Sequence, residues 1–283
     1  MYDWLTEHKI PLGPWIKSFV DFLNQHLQWL FDGISLVLGT LIEGLTGLLL
    51  ATPPLLLTAL FAALAYFLHR SVKLAAFTFV AFLVVINLGY WQPTIETLSL
   101  VIWATLVCVA VGVPLGIAAA HRPWLYAGIR PILDLMQTIP TFVYLIPTLV
   151  LFGLGVVPGL ISTVIFALPA PIRLTHLGIT SVPTQLREAG EAFGATKRQL
   201  LYKVELPHAM PTIMAGITQC IMLSLSMVVI AALVGADGLG KPVVRALNSV
   251  NIGMGFEAGA AIVLLAIVLD RVCKRPERKA GGR

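Results

Sequence analysis

Charge is scarce in this chain of 283 residues. Asp, Glu, Lys and Arg together make up 12% of it, while apolar residues make up 58%. Soluble domains carry roughly 25% charged residues, so a water-soluble fold is excluded. Cysteine is nearly absent too. Cys108 and Cys220 stand inside apolar runs and Cys273 beside a basic tail, which leaves no disulfide framework and no His/Cys cluster with metal-ligand spacing. Neither a metal nor another cofactor is expected. The start, MYDWLTEHKIPLG, lacks a basic region followed by an apolar core, so no cleaved signal peptide is read there. The apolar runs also lack ionisable groups. Asp134 and Arg173 fall at expected cytoplasmic ends and Glu96 near an outer end. A proton- or sodium-coupled transporter usually places carboxylates or broken-helix sites near mid-membrane. Their absence favours a pathway powered from outside the chain over a secondary transporter.

What is present is a series of apolar runs, several longer than the ~20 residues that cross a bilayer. The pattern predicts an all-α, polytopic transmembrane bundle with spans near 53–68, 72–91, 95–119, 135–154, 159–178, 212–234 and 256–272. Residues 1–52 are set apart as an N-terminal amphipathic segment. They are apolar but carry Lys17, Asp21, Asp32 and Glu43, and Phe19, Phe22, Leu23, Leu27, Leu30 and Phe31 follow a helical stripe. An Asp at mid-bilayer costs about 2.5–3.5 kcal/mol on insertion scales, so a helix lying in the interface is favoured. A span over 34–50 is the alternative. Residues 53–273 form the transmembrane domain, and 274–283 a basic cytoplasmic tail. Gly112-x-x-x-Gly116, with Pro114 between, offers a small-residue face for close helix approach. Pro140, Pro147, Pro158, Pro169 and Pro171 are expected to break up the fourth and fifth spans.

Between the fifth and sixth spans lies a polar island, from about residue 182 to 211. Pro183 suits a helix start, and Leu186, Ala189, Gly190 and Phe193 recur on one face at helical spacing. Gly194 sits where a left-handed terminating residue belongs. Thr196 followed by Gln199 makes a capping box that restarts a helix, and Pro207 and Pro211 punctuate the return to the membrane. The expectation is a small helical hairpin held outside the bilayer as a docking surface. The basic residues orient it. With seven spans and the tail inside, the cytoplasmic segments hold Arg70, Lys73, Arg122, Arg130, Arg173, Arg187, Lys197, Arg198, Lys203 and everything basic from Arg271 onward. Only Lys9, Lys17, Lys241 and Arg245 lie outside. The positive-inside rule then puts the hairpin and the C-terminus in the cytoplasm and the N-terminus outside. This surplus of positive charge follows membrane topology and implies no nucleic acid. Gly235 to Lys241 imitates a phosphate-binding loop, but Pro242 stands where Ser or Thr should ligate Mg²⁺, and an apolar helix precedes it instead of a strand. It reads as a glycine turn.

Glu188-Ala189-Gly190, then Gly194, then Val204-x-Leu206-Pro207 resembles the EAA motif of ATP-binding-cassette importer permeases. The family pattern has a second alanine where this chain has Gly190, and commonly isoleucine where it has Val204. Three further runs, Asp134 to Pro147, Phe152 to Gly159 and Leu206 to Gly216, look like permeases for glycine betaine, proline betaine and choline, as does Leu223 to Ile230. The resemblance covers roughly residues 95–272. It implies a type I, MetI-like permease fold working as a homodimer in a bacterial inner membrane, among membrane lipids. It also implies an ATP-hydrolysing partner that meets Glu188, Ala189, Gly190, Gly194, Leu206 and Pro207, and a periplasmic or lipid-anchored substrate-binding protein. The permease itself would catalyse no covalent reaction and have no catalytic residue. Trp103, Gln137, Pro140, Phe142 and Tyr144 are the candidate pathway residues, with aromatic faces suited to an organic cation; ordinary packing is the alternative for each. An amino acid or another small cation as cargo, a secondary transporter, and a membrane anchor or sensor remain the rival readings.

Overall fold

The computed structural model describes residues 11–274 and is helical throughout the bundle. In chain order the helices are α1 (Leu12–Ala51), α2 (Pro54–His69), α3 (Val72–Asn87), α4 (Trp91–His121), α5 (Pro123–Thr138), α6 (Thr141–Phe152), α7 (Val156–Ala167) and α8 (Pro169–Thr180). They continue as α9 (Thr184–Ala192), α10 (Lys197–Leu200), a π-helical turn Leu201–Glu205, α11 (Leu206–Ala231), α12 (Gly240–Asn248) and α13 (Ile252–Cys273). Among the described residues five helical segments are long and apolar enough to cross a membrane: α1, α4, the pair α7–α8, the run Lys197–Val234, and α13.

The bundle is organised around α8, which lies between α4 and α11 at glycine contacts. A β-carbon on Gly116 of α4 would stand 2.7 Å from the Ile172 carbonyl oxygen and 2.7 Å from Thr175 Cβ; on Gly112 it would meet the Pro171 ring at 2.9 Å. From the other side, Gly216 of α11 faces Leu174 Cβ at 2.9 Å, and Gly178 of α8 faces Ala209 at 3.1 Å. The small-residue face expected at Gly112 and Gly116 therefore brings two backbones together, as such faces do in lipid.

Two faces of the bundle are fixed by long-range bonds. At one, His121 at the end of α4 meets Glu205, and His69 Nε2 lies 2.9 Å from the Val272 carbonyl oxygen. At the other, the Leu239 N–H donates to Thr97 Oγ1 at 2.9 Å and the Gly155 N–H to the Val234 carbonyl at 2.9 Å. Gly235 and Gly238 have φ of 91° and 120° there, and Lys241 is ion-paired with Asp237. The stretch imitating a phosphate loop is thus a tight glycine turn packed on α4.

Pro140 breaks the fourth span, 135–154, as expected: α5 and α6 meet at 97°. Pro140 forces Ile139 into an extended conformation, φ −65° and ψ 130°, as a proline does to the residue before it. Pro169 and Pro171, by contrast, do not break the next span. They fall in the first turn of α8, where a missing N–H removes little, and Val156–Thr180 continues as one crossing segment. Pro207 and Pro211 likewise fail to punctuate; the chain stays helical from Lys197 to Val234. The π turn absorbs Pro207, with the Leu206 N–H reaching back five residues to the Leu201 carbonyl.

Residues of the N-terminal segment form a single helix, α1, about 60 Å long at 1.5 Å per residue. It packs against α4, α6 and α7. Phe31 meets Phe152 edge-on at 5.2 Å, Ser99 Oγ and Trp103 Nε1 donate at 3.1 Å to the carbonyls of Ile42 and Leu41, and Ile42 is buried against Leu100, Ala104 and Leu160.

Candidate coupling site

The hairpin is built as its sequence predicts. Gly194 has φ of +76°. Its N–H donates to the Glu191 carbonyl at 2.8 Å and the Ala195 N–H to the Gly190 carbonyl at 3.0 Å, the paired bonds of a Schellman terminus. The Thr196 side chain accepts from the Gln199 N–H at 3.3 Å while the Gln199 side chain accepts from the Thr196 N–H at 2.8 Å, a complete capping box. Pro183 stands just before the helix rather than in it. Gly190 is where α10 comes down on α9: a β-carbon there would lie 2.7 Å from Leu200 Cδ1. An alanine at this position would need Leu200 to turn aside.

The apolar side of α9 is not packed. None of its residues is buried, Leu186 is exposed, and Phe193 at the hairpin tip is 91% exposed. Glu188 and Ala189 are exposed beside them. Singly exposed apolar residues mean little, but an aromatic ring held out on a capped, rigid tip beside charged groups has the anatomy of an interface anchor. Sequence periodicity grouped Phe193 with Leu186 and Ala189 but gave no sign that this face points to solvent.

Beneath the hairpin lies a feature that the sequence did not disclose. Glu205, at the unspecified position of Val204-x-Leu206-Pro207, is 2% exposed. His121 Nε2 lies 2.8 Å from its Oε2, and Arg187 Nε 3.2 Å from its Oε1 as an ion pair. Arg187 also donates through Nη2 to the Ile179 carbonyl at 2.7 Å, at the end of α8. The other ring nitrogen of His121 lies 3.0 Å from the Ile117 carbonyl. His121 is thus held between a carbonyl of its own helix and the Glu205 carboxyl group. The floor is apolar: Ile179, Ala209 and Ile213 pack with Ile117, Leu201 and Leu206. Leu206 thus serves inside the protein, and Pro207 is exposed beyond the π turn.

The five candidate pathway residues do not form one lining. Trp103 is held by its bond to α1. Tyr144 is 9% exposed, and its hydroxyl donates to the carbonyls of Met136 and Leu135, pinning the α5–α6 bend. Gln137 and Pro140 sit at that bend, and Phe142 is 57% exposed just after it. An ion pair of 2.6 Å between Arg173 and Asp134 ties α8 to α5 nearby.

A crossing bundle with glycine-packed inner helices and an exposed, capped hairpin outside it has the architecture of a helical membrane permease with an external docking element. The family model described as "Binding-protein-dependent transport system inner membrane component" matches residues 112–279, and the chain belongs to that family. It is 48% identical over 275 residues to the glycine betaine transport system permease protein OpuAB of Bacillus subtilis (strain 168), covering 97% of each chain. It is 44% identical over 301 residues to the glycine betaine/proline betaine transport system permease protein ProW of Escherichia coli (strain K12), covering 99% of this chain and 85% of that one. Among solved structures it resembles an inward-facing form of the MetNI methionine ABC transporter, with a TM-score of 0.57 at 24% identity over 64% of this chain and 90% of the other. That likeness bears out the MetI-like fold.

Proposed function

We propose that this chain is the permease subunit of an ATP-binding-cassette importer for a quaternary amine of the glycine betaine and choline type. It works as a homodimer with two ATPase subunits and an extracytoplasmic binding protein, periplasmic or lipid-anchored. The observation that carries the reading is the hairpin: capped on both sides of its turn, exposed at Leu186 and Phe193, and continuous through α10 and the π turn with α11. Glu188, Ala189, Phe193 and Gly194 present its outer surface to the ATPase subunit, and Gly190, Leu206 and Pro207 hold its shape. Closure of the ATPase pair on ATP brings the two hairpins together, and α8 and α11, rooted in them, open the pathway outward to the docked binding protein. Hydrolysis returns it to the inward-facing state. The hairpin face is cytoplasmic by the distribution of Lys and Arg, and α1 lies along the outer face with the N-terminus outside. Residues 53–273 form the transmembrane domain.

The cargo assignment draws on the names of the similar permeases. For the pathway we favour the bend at Gln137, Pro140 and Phe142, with Tyr144 as its fixed wall. The test is uptake of labelled glycine betaine in cells expressing the complete system, competed by unlabelled choline, glycine betaine and proline betaine. Competition by quaternary amines is expected; competition by an amino acid in their place would overturn the assignment.

A further inference from the structure

We propose that Glu205 is a positioning residue of transport: the buried carboxylate that, with Arg187 and His121, links movement of the docking hairpin to the transmembrane helices. The proposal rests on the hairpin being the ATPase dock. Among the described residues Glu205 is the one charged side chain that is fully buried. Burying a charge is unfavourable, and an apolar replacement for a buried ion pair is often neutral or stabilising, so packing alone does not explain it. Its partners define its role. Arg187 belongs to α9 of the hairpin, His121 is the last residue of α4, and Glu205 closes the π turn that leads into α11. Through the same Arg187 guanidinium the cluster also holds the end of α8 at the Ile179 carbonyl.

Four elements are therefore linked through one carboxylate and its arginine, two of them the helices that enter and leave the hairpin. The π turn is a register break at the same point, and such turns are frequent at functional sites. Above the cluster α4, α8 and α11 approach closely at Gly112, Gly116, Gly178 and Gly216 and pack through Ile117, Ile179 and Ile213. A displacement of α9 is passed by Arg187 to Glu205, and from there to α11 directly and to α4 through His121.

The test uses the complete importer in proteoliposomes, with its ATPase subunits, binding protein and glycine betaine as the probe. In Glu205→Gln, which keeps size and hydrogen bonding but removes charge, the ATPase subunit stays bound. The stimulation of hydrolysis by the loaded binding protein falls at least about fivefold, the lower end of measured coupling between sites, and uptake falls with it. Arg187→Gln behaves the same way, Arg187→Lys recovers most of the stimulation, and Arg187→Gln with Glu205→Gln is no worse than Glu205→Gln alone. Normal stimulation in Glu205→Gln, or a double variant whose losses multiply, would overturn the proposal. Should Glu205→Gln fail to assemble, His121→Gln reads the same link from the partly exposed side, and wild-type stimulation there would equally overturn it. Failure of the docking reading shows separately, as an ATPase subunit that stays bound to Phe193→Asp.

Discussion

Replacing Gly194 by Val isolates the backbone of the hairpin. A β-carbon on Gly194 would meet nothing within 4 Å, so there is no steric obstacle to a side chain. The penalty comes from φ of +76°, a region that costs a residue with a β-carbon about 1–2 kcal/mol, and more if it is β-branched. Since 1.4 kcal/mol is a factor of ten, a hairpin carrying a penalty of 1–2 kcal/mol keeps its closed geometry about 5–30 times less often. What it loses are the bonds from Gly194 to Glu191 and from Ala195 to Gly190, which set the angle between α9 and α10. The spans should still insert, because the change lies outside them. The assay is hydrolysis stimulated by the loaded binding protein, together with uptake, across Gly194→Asn, Gly194→Ala and Gly194→Val. Asn visits the left-handed region more readily than other non-glycine residues, so activity should fall in that order. Equal, near-normal activity in all three would refute the reasoning.

Other expectations follow from the same geometry. Phe193→Asp removes an aromatic anchor whose burial contributes about 1.5–3 kcal/mol, so the ATPase subunit should bind at least about tenfold more weakly by co-purification or titration. Gly116→Ala forces a methyl against the Ile172 carbonyl and Thr175; overpacking of this kind costs about 1–3 kcal/mol, which should lower the thermal midpoint in detergent. Tyr144→Phe frees the last carbonyls of α5 and should loosen the α5–α6 bend, seen as faster proteolysis there with the protein still inserted. A topology reporter after Arg198 or Lys274 should read cytoplasmic, and one after Gly240 or ahead of α1 should read periplasmic.

The parts of this molecule legible in its sequence are those decided locally. Gly194 and the Thr196–Gln199 box fix their own turns whatever surrounds them, and Gly112 and Gly116 announce a close approach without saying to what. The prolines were harder. Pro140 bends the chain by 97° while Pro169 and Pro207 are absorbed into continuing helices, because the outcome depends on whether a neighbouring element satisfies the freed carbonyls. At Pro140 the Tyr144 hydroxyl does so in the bent form. Glu205 was least legible of all. Its burial depends on His121, far away in the chain, and on an arginine that a helical wheel assigns to solvent. The aromatic residues Trp103 and Tyr144 looked like pathway candidates for the same reason: their carbonyl partners are visible only in the fold.

The central claim is that this chain conducts its substrate only when driven by ATP hydrolysed on a partner docked at the Glu188–Gly194 hairpin. The most direct measurement is glycine betaine uptake into proteoliposomes holding the complete importer, with ATP on the hairpin side, the binding protein on the other, and the proton gradient collapsed. The account predicts full uptake under these conditions and none when the ATPase subunit is omitted. Uptake that disappears with the gradient while ATP is held constant, or that persists without the ATPase subunit, would contradict it.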